Sequence, residues 1–205
     1  MKHRRSFSLV GALFAVTALG YPGAGSGAPP DARDQRVLQA ALLHLVADPG
    51  FVMPGAARDG RSIVLSSRSA TGTGMIESYQ MRSDVGSALT IPDDLEKDLL
   101  RRNATSQGSS VVVSFGGSNL DSRITVADLT TGEPPAIERR PPFSERFPQA
   151  RGWVEPWLPG YSKDGRRAII RAWVGPSPHG ASVTVLLERS GRSWVVRWSR
   201  IAHYA

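Results

Sequence analysis

His179 has the side chain in this sequence best suited to acid–base chemistry. It lies in the stretch GPSPHG, residues 175–180, between two apolar runs. A histidine with a pKa near neutrality acts as a general base when a partner orients it. Pro176, Pro178 and Gly180 already explain the stretch as a turn, and no partner motif accompanies the histidine. We therefore interpret His179 first as a solvated loop residue and second as a catalytic candidate.

Metal binding would require three or four ligands that converge. His44 and His203 lie far from His179 in the chain, and no HExxH pattern occurs. His44 follows Val37 and Ala41 at helical spacing, which favours a half-buried packing residue. The sequence contains no cysteine, which excludes thiolate nucleophiles, disulfides and cysteine-based zinc sites. We expect neither a metal nor a cofactor.

Acidic side chains form one clear cluster, which comprises Asp93, Asp94, Glu96 and Asp98. Paired carboxylates can cleave glycosidic bonds when they lie about 5 to 9 Å apart across a cleft. These residues instead begin a predicted helix, where they interact favourably with the helix dipole without any further function. The GxSxG, SxxK, GxGxxG and GxxxxGK[ST] motifs do not occur. Serine-nucleophile and nucleotide-binding chemistry therefore have no support in the sequence.

The tryptophans are unevenly distributed, and all five fall in the last third of the chain: Trp153, Trp157, Trp173, Trp194 and Trp198. Strand alternation places Trp173 on one face with Ile169 and Arg171. An aromatic ring beside an arginine suits a ligand platform or an interface, although large aromatic residues more often pack in cores. Trp173 and Arg171 are the candidate binding residues.

The first residues have the three-part layout of an export signal. Basic residues are followed by the apolar run Leu9 to Leu19 and then by small residues. The run is shorter than the ~20 residues that span a bilayer. We assign residues 1–28 to a signal peptide, with cleavage after Gly20, Ala24 or Gly25 as alternatives. The pair Arg4 and Arg5 leaves both the general and the twin-arginine export routes open.

The charge of the remaining chain is mildly basic. Three of the 25 basic residues lie in the predicted signal, which leaves 22 against 18 acidic residues. The arginines are scattered without a dense patch, so nothing indicates a nucleic-acid partner. An anionic surface such as an envelope polymer stays a possible partner. About 177 residues are enough for one ordinary domain, and we assign 29–205 to it.

The first part of the domain combines two predicted helices with short strands. Apolar residues at helical spacing predict helices over 34–47 and 90–103. Alternation predicts strand pairs over 61–69 with 72–81 and over 110–115 with 122–129. The segment 130–142 is rich in proline and charge and is interpreted as an exposed connection.

The end of the domain is the most regular part. Four apolar or alternating runs, 152–162, 166–174, 181–189 and 193–204, are separated by short turn sequences. Asp-Gly and Ser-Gly accept positive φ and favour tight reversals. The spacing predicts a four-stranded antiparallel meander.

A family resemblance rests on five segments: Arg102-Asn103, Phe147-Pro148, YSKDGRRA at 161–168, HGASVTVLLER at 179–189, and GRSWVV at 191–196. They resemble a group of small exported bacterial proteins of uncharacterised function, in which YS-x-DG leads into LL-[EK]-x-x-G-x-W-x-V. The resemblance implies a β-meander and export, and it carries over no catalytic residue. The closing hairpin is also similar to that of cystatin-like and nuclear transport factor 2-like (NTF2-like) α+β domains.

Together these patterns predict an exported α+β domain with two helices on a mainly antiparallel sheet. We expect a periplasmic or extracellular, non-enzymatic binding or cell-envelope module without a permanent membrane span. It would bind an envelope protein, a glycan or another ligand through the sheet face around Trp173 and Arg171. The alternative is a small envelope-associated hydrolase that uses His179 with Asp164 or a helix carboxylate.

Overall fold

The computed structural model describes residues 31–70, 75–86, 90–103, 121–129, 143–176 and 180–203. The helices in these ranges are α1 (Ala32–Ala47), α2 (Met75–Val85), α3 (Asp93–Asn103) and α4 (Phe143–Arg146). The strands are β1 (Ser62–Ser66), β2 (Ile124–Ala127), β3 (Ala150–Pro156), β4 (Gly160–Tyr161), β5 (Arg167–Gly175), β6 (Ala181–Ser190) and β7 (Ser193–His203). The α+β class is confirmed, with four helices in these ranges instead of two. The predicted signal peptide, the strand at 110–115, the connection at 130–142 and His179 lie outside them.

The sheet is mixed, with seven described strands. Their order is β2-β1-β3-β5-β6-β7, and the short strand β4 pairs with β5 beside β3. All pairings of β5 and the β6–β7 pairing are antiparallel, whereas β1 runs parallel to both β2 and β3. The predicted C-terminal meander is therefore confirmed, and the description of the sheet as mainly antiparallel omits its parallel side.

The first run of the meander forms two strands instead of one. β3 pairs with the end of β5 and β4 pairs with its beginning, so both lie on the same side of β5. Trp157 and Leu158 lie between them and are buried. The break brings Gly160 and Tyr161 to the sheet edge next to α3.

Helix α1 begins with a capping box. The Asp31 side chain accepts from the Asp34 backbone N–H at 2.8 Å, and Asp34 accepts from the Asp31 N–H at 3.1 Å. Its buried positions recur at helical spacing: Asp34, Val37, Leu38, Ala41, Leu42, Leu45 and Val46. The helix ends at Ala47, the end that the sequence predicted, and Asp48, Pro49 and Gly50 follow it.

Helix α2 corrects the strand predicted over 72–81. The described residues from Met75 onward are helical, and Met81 and Val85 are buried four residues apart on one face. Val85 lies beyond residues 72–81, so the helical spacing of this pair was not visible within the predicted strand. Gly86, with φ of 58°, ends the helix in a conformation that favours glycine.

Helix α3 confirms the second predicted helix. It begins at Asp93, and the carbonyl of Pro92 accepts from Leu95 and Glu96, so the proline precedes the first turn. Leu95 and Leu99 supply its buried stripe. The acids near its start and Arg101 and Arg102 near its end complement the dipole.

The two faces of β5 belong to different cores. Ala168, Ile170, Ala172 and Val174 join the core that packs against α1. Ile169 joins the smaller core that contains residues of α2 and α3. Helices therefore cover both faces of the sheet.

Strand alternation predicts Trp194, Val196 and Trp198 on one face of the last strand, and this prediction is wrong for Trp198. Trp194 and Val196 pack on the core beneath α1, whereas Trp198 packs against the core on the opposite face. The register shifts between the pairs Leu186–Trp198 and Leu187–Val196. An extra residue in one strand reverses the alternation beyond it.

Strand β1 has parallel neighbours on both sides and is buried along most of its length, as is typical of strands in parallel sheets. In the described part of the chain, no helix has the length and apolar character needed to cross a bilayer.

Candidate functional site: a charged cleft beside helix α3

A cleft of about 550 Å³ lies between the start of α1, the side of α3 and the turn that joins β4 to β5. Its basic lining residues are Arg33, Lys97, Arg101, Arg102 and Lys163. Its acidic lining residues are Asp31, Asp94 and Asp98, and Tyr161 and Ser162 complete it. The composition indicates a polar ligand because most of these side chains carry charge.

Helix α3 can approach the sheet edge because residue 160 is a glycine. A Cβ at Gly160 would lie 2.6 Å from the Leu99 backbone nitrogen and 2.7 Å from the Leu95 carbonyl oxygen. Asn103 ties the other end of α3 to the same segment. Its amide donates to the Leu158 carbonyl and accepts from the Leu158 N–H, both at 2.8 Å. These contacts fix one wall of the cleft relative to the sheet.

The floor of the cleft is a buried network of Asp34, Arg102 and Tyr161. Arg102 donates from both terminal nitrogens to the two oxygens of Asp34, each at 2.7 Å. The Tyr161 hydroxyl donates to Asp34 Oδ1, also at 2.7 Å. Arg102 also donates to the carbonyl of Pro159. The network joins α1, α3 and β4, so every side of the floor is held by charge-assisted hydrogen bonds.

The electrostatics of this network keep Asp34 ionised. Burial alone raises the pKa of Asp34, but the hydrogen bonds from Arg102 and Tyr161 outweigh burial and hold the pKa below its ordinary value. Burial, together with the bond to the Asp34 carboxylate, raises the pKa of the Tyr161 hydroxyl. The tyrosine therefore acts as a neutral donor within the floor.

Arg33 covers the tyrosine from the side of the cleft. Its guanidinium carbon lies 3.6 Å from the centroid of the Tyr161 ring, within the range of a cation–π contact. The same guanidinium donates to the Gly165 carbonyl at 2.9 Å. Gly165 has φ of 67°, a conformation that favours glycine in the tight turn. Arg33 thus connects the start of α1 to the β4–β5 turn.

The aspartates of the lining are engaged with the protein itself. Asp98 accepts from the Tyr161 N–H at 2.9 Å and from Arg101 at 2.6 Å. Asp94 accepts from the Lys163 N–H at 3.1 Å, and that bond lowers its pKa. Asp31 is the N-cap of α1. These carboxylates attach the β4–β5 turn to α3 and cap α1.

Two cations of the lining do not attach one part of the protein to another through their side chains. Lys97 and Lys163 are both exposed, and neither ammonium makes an ion pair or hydrogen bond with a described residue. Arg33, Arg101 and Arg102 are all held by protein oxygens. The positive charge that the cleft offers to a ligand is therefore carried mainly by the two lysines.

Arg171 is buried instead of facing solvent beside Trp173. It is 1 % exposed and lies 2.9 Å from Asp84 Oδ2, with its guanidinium carbon 5.2 Å from the Trp157 ring centroid. Trp173 is half-buried, and its ring meets that of Trp157 edge-on at 6.3 Å. Arg171 therefore offers almost no surface to solvent, and a binding role for Trp173 and Arg171 stays a prediction.

The carboxylate named with His179 has its own local function. Asp164 accepts from the Ser162 hydroxyl at 2.6 Å and from the Arg166 N–H at 3.0 Å. The hydroxyl bond is the main cause of its lowered pKa. Asp164 therefore stabilises the turn, and His179 lies outside the described residues.

His44 is half-buried, as its helical spacing predicted. Its Nε2 lies 2.9 Å from Ser199 Oγ on β7, a contact that no sequence motif indicated. Across the described ranges, no group of three or more potential metal-binding side chains comes together.

Sequence reasoning missed the floor of the cleft, although two of its members stood in quoted segments. Arg102 begins the Arg-Asn pair and Tyr161 begins YSKDGRRA. In the sequence, a helix end explains Arg102 and a turn explains Tyr161. Asp34 was seen only at the start of a predicted helix, and its pairing with Arg102 bridges 68 residues of sequence. Because burial cannot be read from the sequence, no local signal indicated that this carboxylate pairs with Arg102.

Comparisons with known proteins found no match among family models, curated proteins or solved structures.

Proposed function

We propose that the protein is an exported, non-enzymatic binding module of the cell envelope or the surrounding medium, and that its ligand occupies the cleft beside α3. One observation carries this proposal. The cleft is preformed on a fully hydrogen-bonded floor, its aspartates are engaged by the protein, and two ammonium groups remain available. A rigid, precharged recess loses little conformational entropy when a ligand binds.

Export is supported by the layout of residues 1–28, where basic, apolar and small residues follow one another. The measurement is the N-terminal sequence of the protein recovered outside the cytoplasm of a bacterial host. We expect a chain that lacks the apolar run. Recovery of the intact first residues in the cytoplasm would contradict export.

A hydrolase centred on His179 has less support. Its named partner Asp164 is committed to Ser162 and Arg166, and the aspartates of the cleft hold backbone groups. A general base needs a positioned partner and a bound substrate within reach. Binding without turnover is therefore the function that the described geometry supports best.

Binding in the cleft can be tested by filling its mouth. Arg101 is exposed, so Arg101→Trp adds bulk at the rim without removing buried contacts. Arg166→Trp adds the same bulk in the neighbouring turn but outside the lining. The full 205-residue chain and both variants are screened by thermal shift against cell-wall fragments, peptides and organic anions.

We expect a ligand that stabilises the unmodified chain and Arg166→Trp but not Arg101→Trp. A ligand at about 100 times its Kd stabilises by about 2.7 kcal/mol, which a thermal shift detects. Equal stabilisation of all three proteins would place the ligand elsewhere. Substrate turnover that disappears in His179→Ala would support the hydrolase instead.

A further inference from the structure

Lysine is rare in this protein, and its two internal copies meet at the cleft. The chain has 25 basic residues, yet lysine occurs only at Lys2, Lys97 and Lys163. Both lysines that follow the predicted signal line the same cleft, one from α3 and the other from the β4–β5 turn. Arginine supplies the cation of every ion pair given for the described residues. In these ion pairs the stabilising cation is therefore arginine and not lysine.

The chemistry of the two side chains gives this division a reason. The planar guanidinium forks onto a carboxylate and fixes its orientation, as Arg102 does with Asp34. The ammonium group is a compact charge on a flexible stem, with three donors that rotate to meet an oxyanion. Phosphate groups are commonly held by lysine in this way.

The protein fixes the backbones of both lysines. The Lys163 N–H donates to Asp94 on α3, and Lys97 follows Asp94 by three residues, which places both on neighbouring turns of the helix. Asp98 holds the N–H of Tyr161 two residues before Lys163. The side chains remain free in solvent while their attachment points are pinned to one another across the cleft.

We propose that the ligand carries a phosphate group, which binds between the ammonium groups of Lys97 and Lys163. This inference rests on the proposed function, because it assigns the chemistry of the ligand that the cleft receives. Arg33 and Arg101 add positive charge at the rim, whereas Asp94 and Asp98 are turned to protein donors. The recess favours a dianion over a neutral or cationic group.

Calorimetric titration of the full chain tests this inference with inorganic phosphate, glycerol phosphate, succinate and a neutral disaccharide. Vesicles of phosphatidylglycerol in phosphatidylcholine, and of phosphatidylcholine alone, distinguish a lipid headgroup from a soluble ester. The variants are Lys97→Gln and Lys163→Gln. Arg166→Gln is the matched control, since it removes the same charge from an exposed turn residue outside the lining.

We expect phosphate compounds to bind, and each lysine variant to weaken binding about tenfold or more, because each removes a charge-assisted hydrogen bond. Arg166→Gln leaves the affinity unchanged, and added salt weakens binding in the unmodified chain. Binding of vesicles alone with the same dependence on both lysines also supports the inference and identifies a lipid as the phosphate source.

Phosphate binding that is insensitive to both lysine variants overturns the inference. Binding of a phosphate-free compound that Arg101→Trp abolishes, with none of phosphate, also overturns it but leaves the proposed function standing. If no compound or vesicle binds the full chain, the inference fails, and the wider thermal-shift screen decides whether the proposed function stands. Because Lys97 and Lys163 are exposed, unchanged thermal unfolding of their variants confirms that any loss concerns the ligand.

Discussion

Two buried arginines make contrasting use of the same ion-pair chemistry. Arg102, 19 % exposed at its side chain, meets both oxygens of Asp34, and Tyr161 adds a third donor. Arg171, 1 % exposed, is paired with Asp84 in the core beneath α2. Next to it, Trp157 Nε1 and Thr184 Oγ1 are buried without a hydrogen-bond partner in the structure. The buried polar atoms of the first cluster have hydrogen-bond partners, whereas these two atoms of the second cluster do not.

The difference shows which of the two buried clusters holds its side chains in one geometry. A fully satisfied buried network fixes one geometry, whereas an unsatisfied buried donor or acceptor costs about 1–3 kcal/mol. The satisfied cluster forms the floor of the cleft, and the unsatisfied one lies between β5 and α2. We therefore expect that removing a polar group lowers the free energy of unfolding in the first cluster and can raise it in the second.

The largest expected effect comes from Asp34→Ala. Removing the carboxylate leaves Arg102 largely buried without its partner and should lower the free energy of unfolding by about 3–5 kcal/mol. Urea denaturation at neutral pH measures the change. Glu188→Ala is the matched control, since it breaks the exposed pair with Arg197 and should cost at most about 1 kcal/mol. Equal losses in the two variants would contradict the importance of the buried floor.

The floor should also weaken in acid. The folded-state pKa of Asp34 lies below its ordinary value, so its stabilisation is fully present above the unfolded pKa of about 3.9. That contribution is lost as the pH falls through the folded-state value, because protonation ends the charged pairing with Arg102. Urea denaturation of the unmodified chain and Asp34→Asn at about pH 7 and about pH 3 measures it. A gap between the two proteins that does not narrow in acid would refute the assignment.

Tyr161→Phe should cost less because it removes only one donor from the floor. We expect a loss of about 1.5–3 kcal/mol, the range for a hydrogen bond to a charged group. The ring remains, so Arg33 keeps its stacking contact. Repeating the substitution in an Asp34→Ala background, which removes the acceptor, gives a double-mutant cycle. Strict additivity would show that the hydroxyl does not act through Asp34.

Thr184→Val should have the smallest effect and the opposite sign. The methyl group replaces a buried hydroxyl that has no hydrogen-bond partner in the structure, so unfolding free energy stays level or rises by about 1 kcal/mol. Ser182→Ala is the control two residues away, and it loses a 2.9 Å bond to Asp84. Thermal unfolding of both variants decides the point. A marked loss in Thr184→Val would show that the two clusters do not differ in this way.

How far the sequence predicted the fold depended on how local each signal was. The meander followed from turns at Asp164-Gly165 and Ser190-Gly191, where hairpin partners are neighbours in the chain. The parallel pairing of β1 with β2 and β3 joins distant segments, and no local pattern indicates such partners. A single bulge near Val196 was enough to reverse the predicted face of Trp198.

Candidate residues were predicted less well because burial is a property of the assembled layers. Alternation correctly grouped Arg171 with Ile169 on one face of β5, but it could not tell that α2 would cover that face. The sequence also displayed Lys97 and Lys163 as its only lysines beyond Lys2, without showing that they share a cleft.

The sequence by itself determined that helices occur at α1 and α3 and end at residues 47 and 103, and that the C-terminal strands form an antiparallel meander, since these depend on contacts within a few residues. Only the tertiary structure decided that Asp34, Arg102 and Tyr161 meet and that a charged recess opens above them. The physical reason is that buried ion pairs and clefts arise where distant elements pack, and their free energy depends on solvent exclusion that no single segment creates.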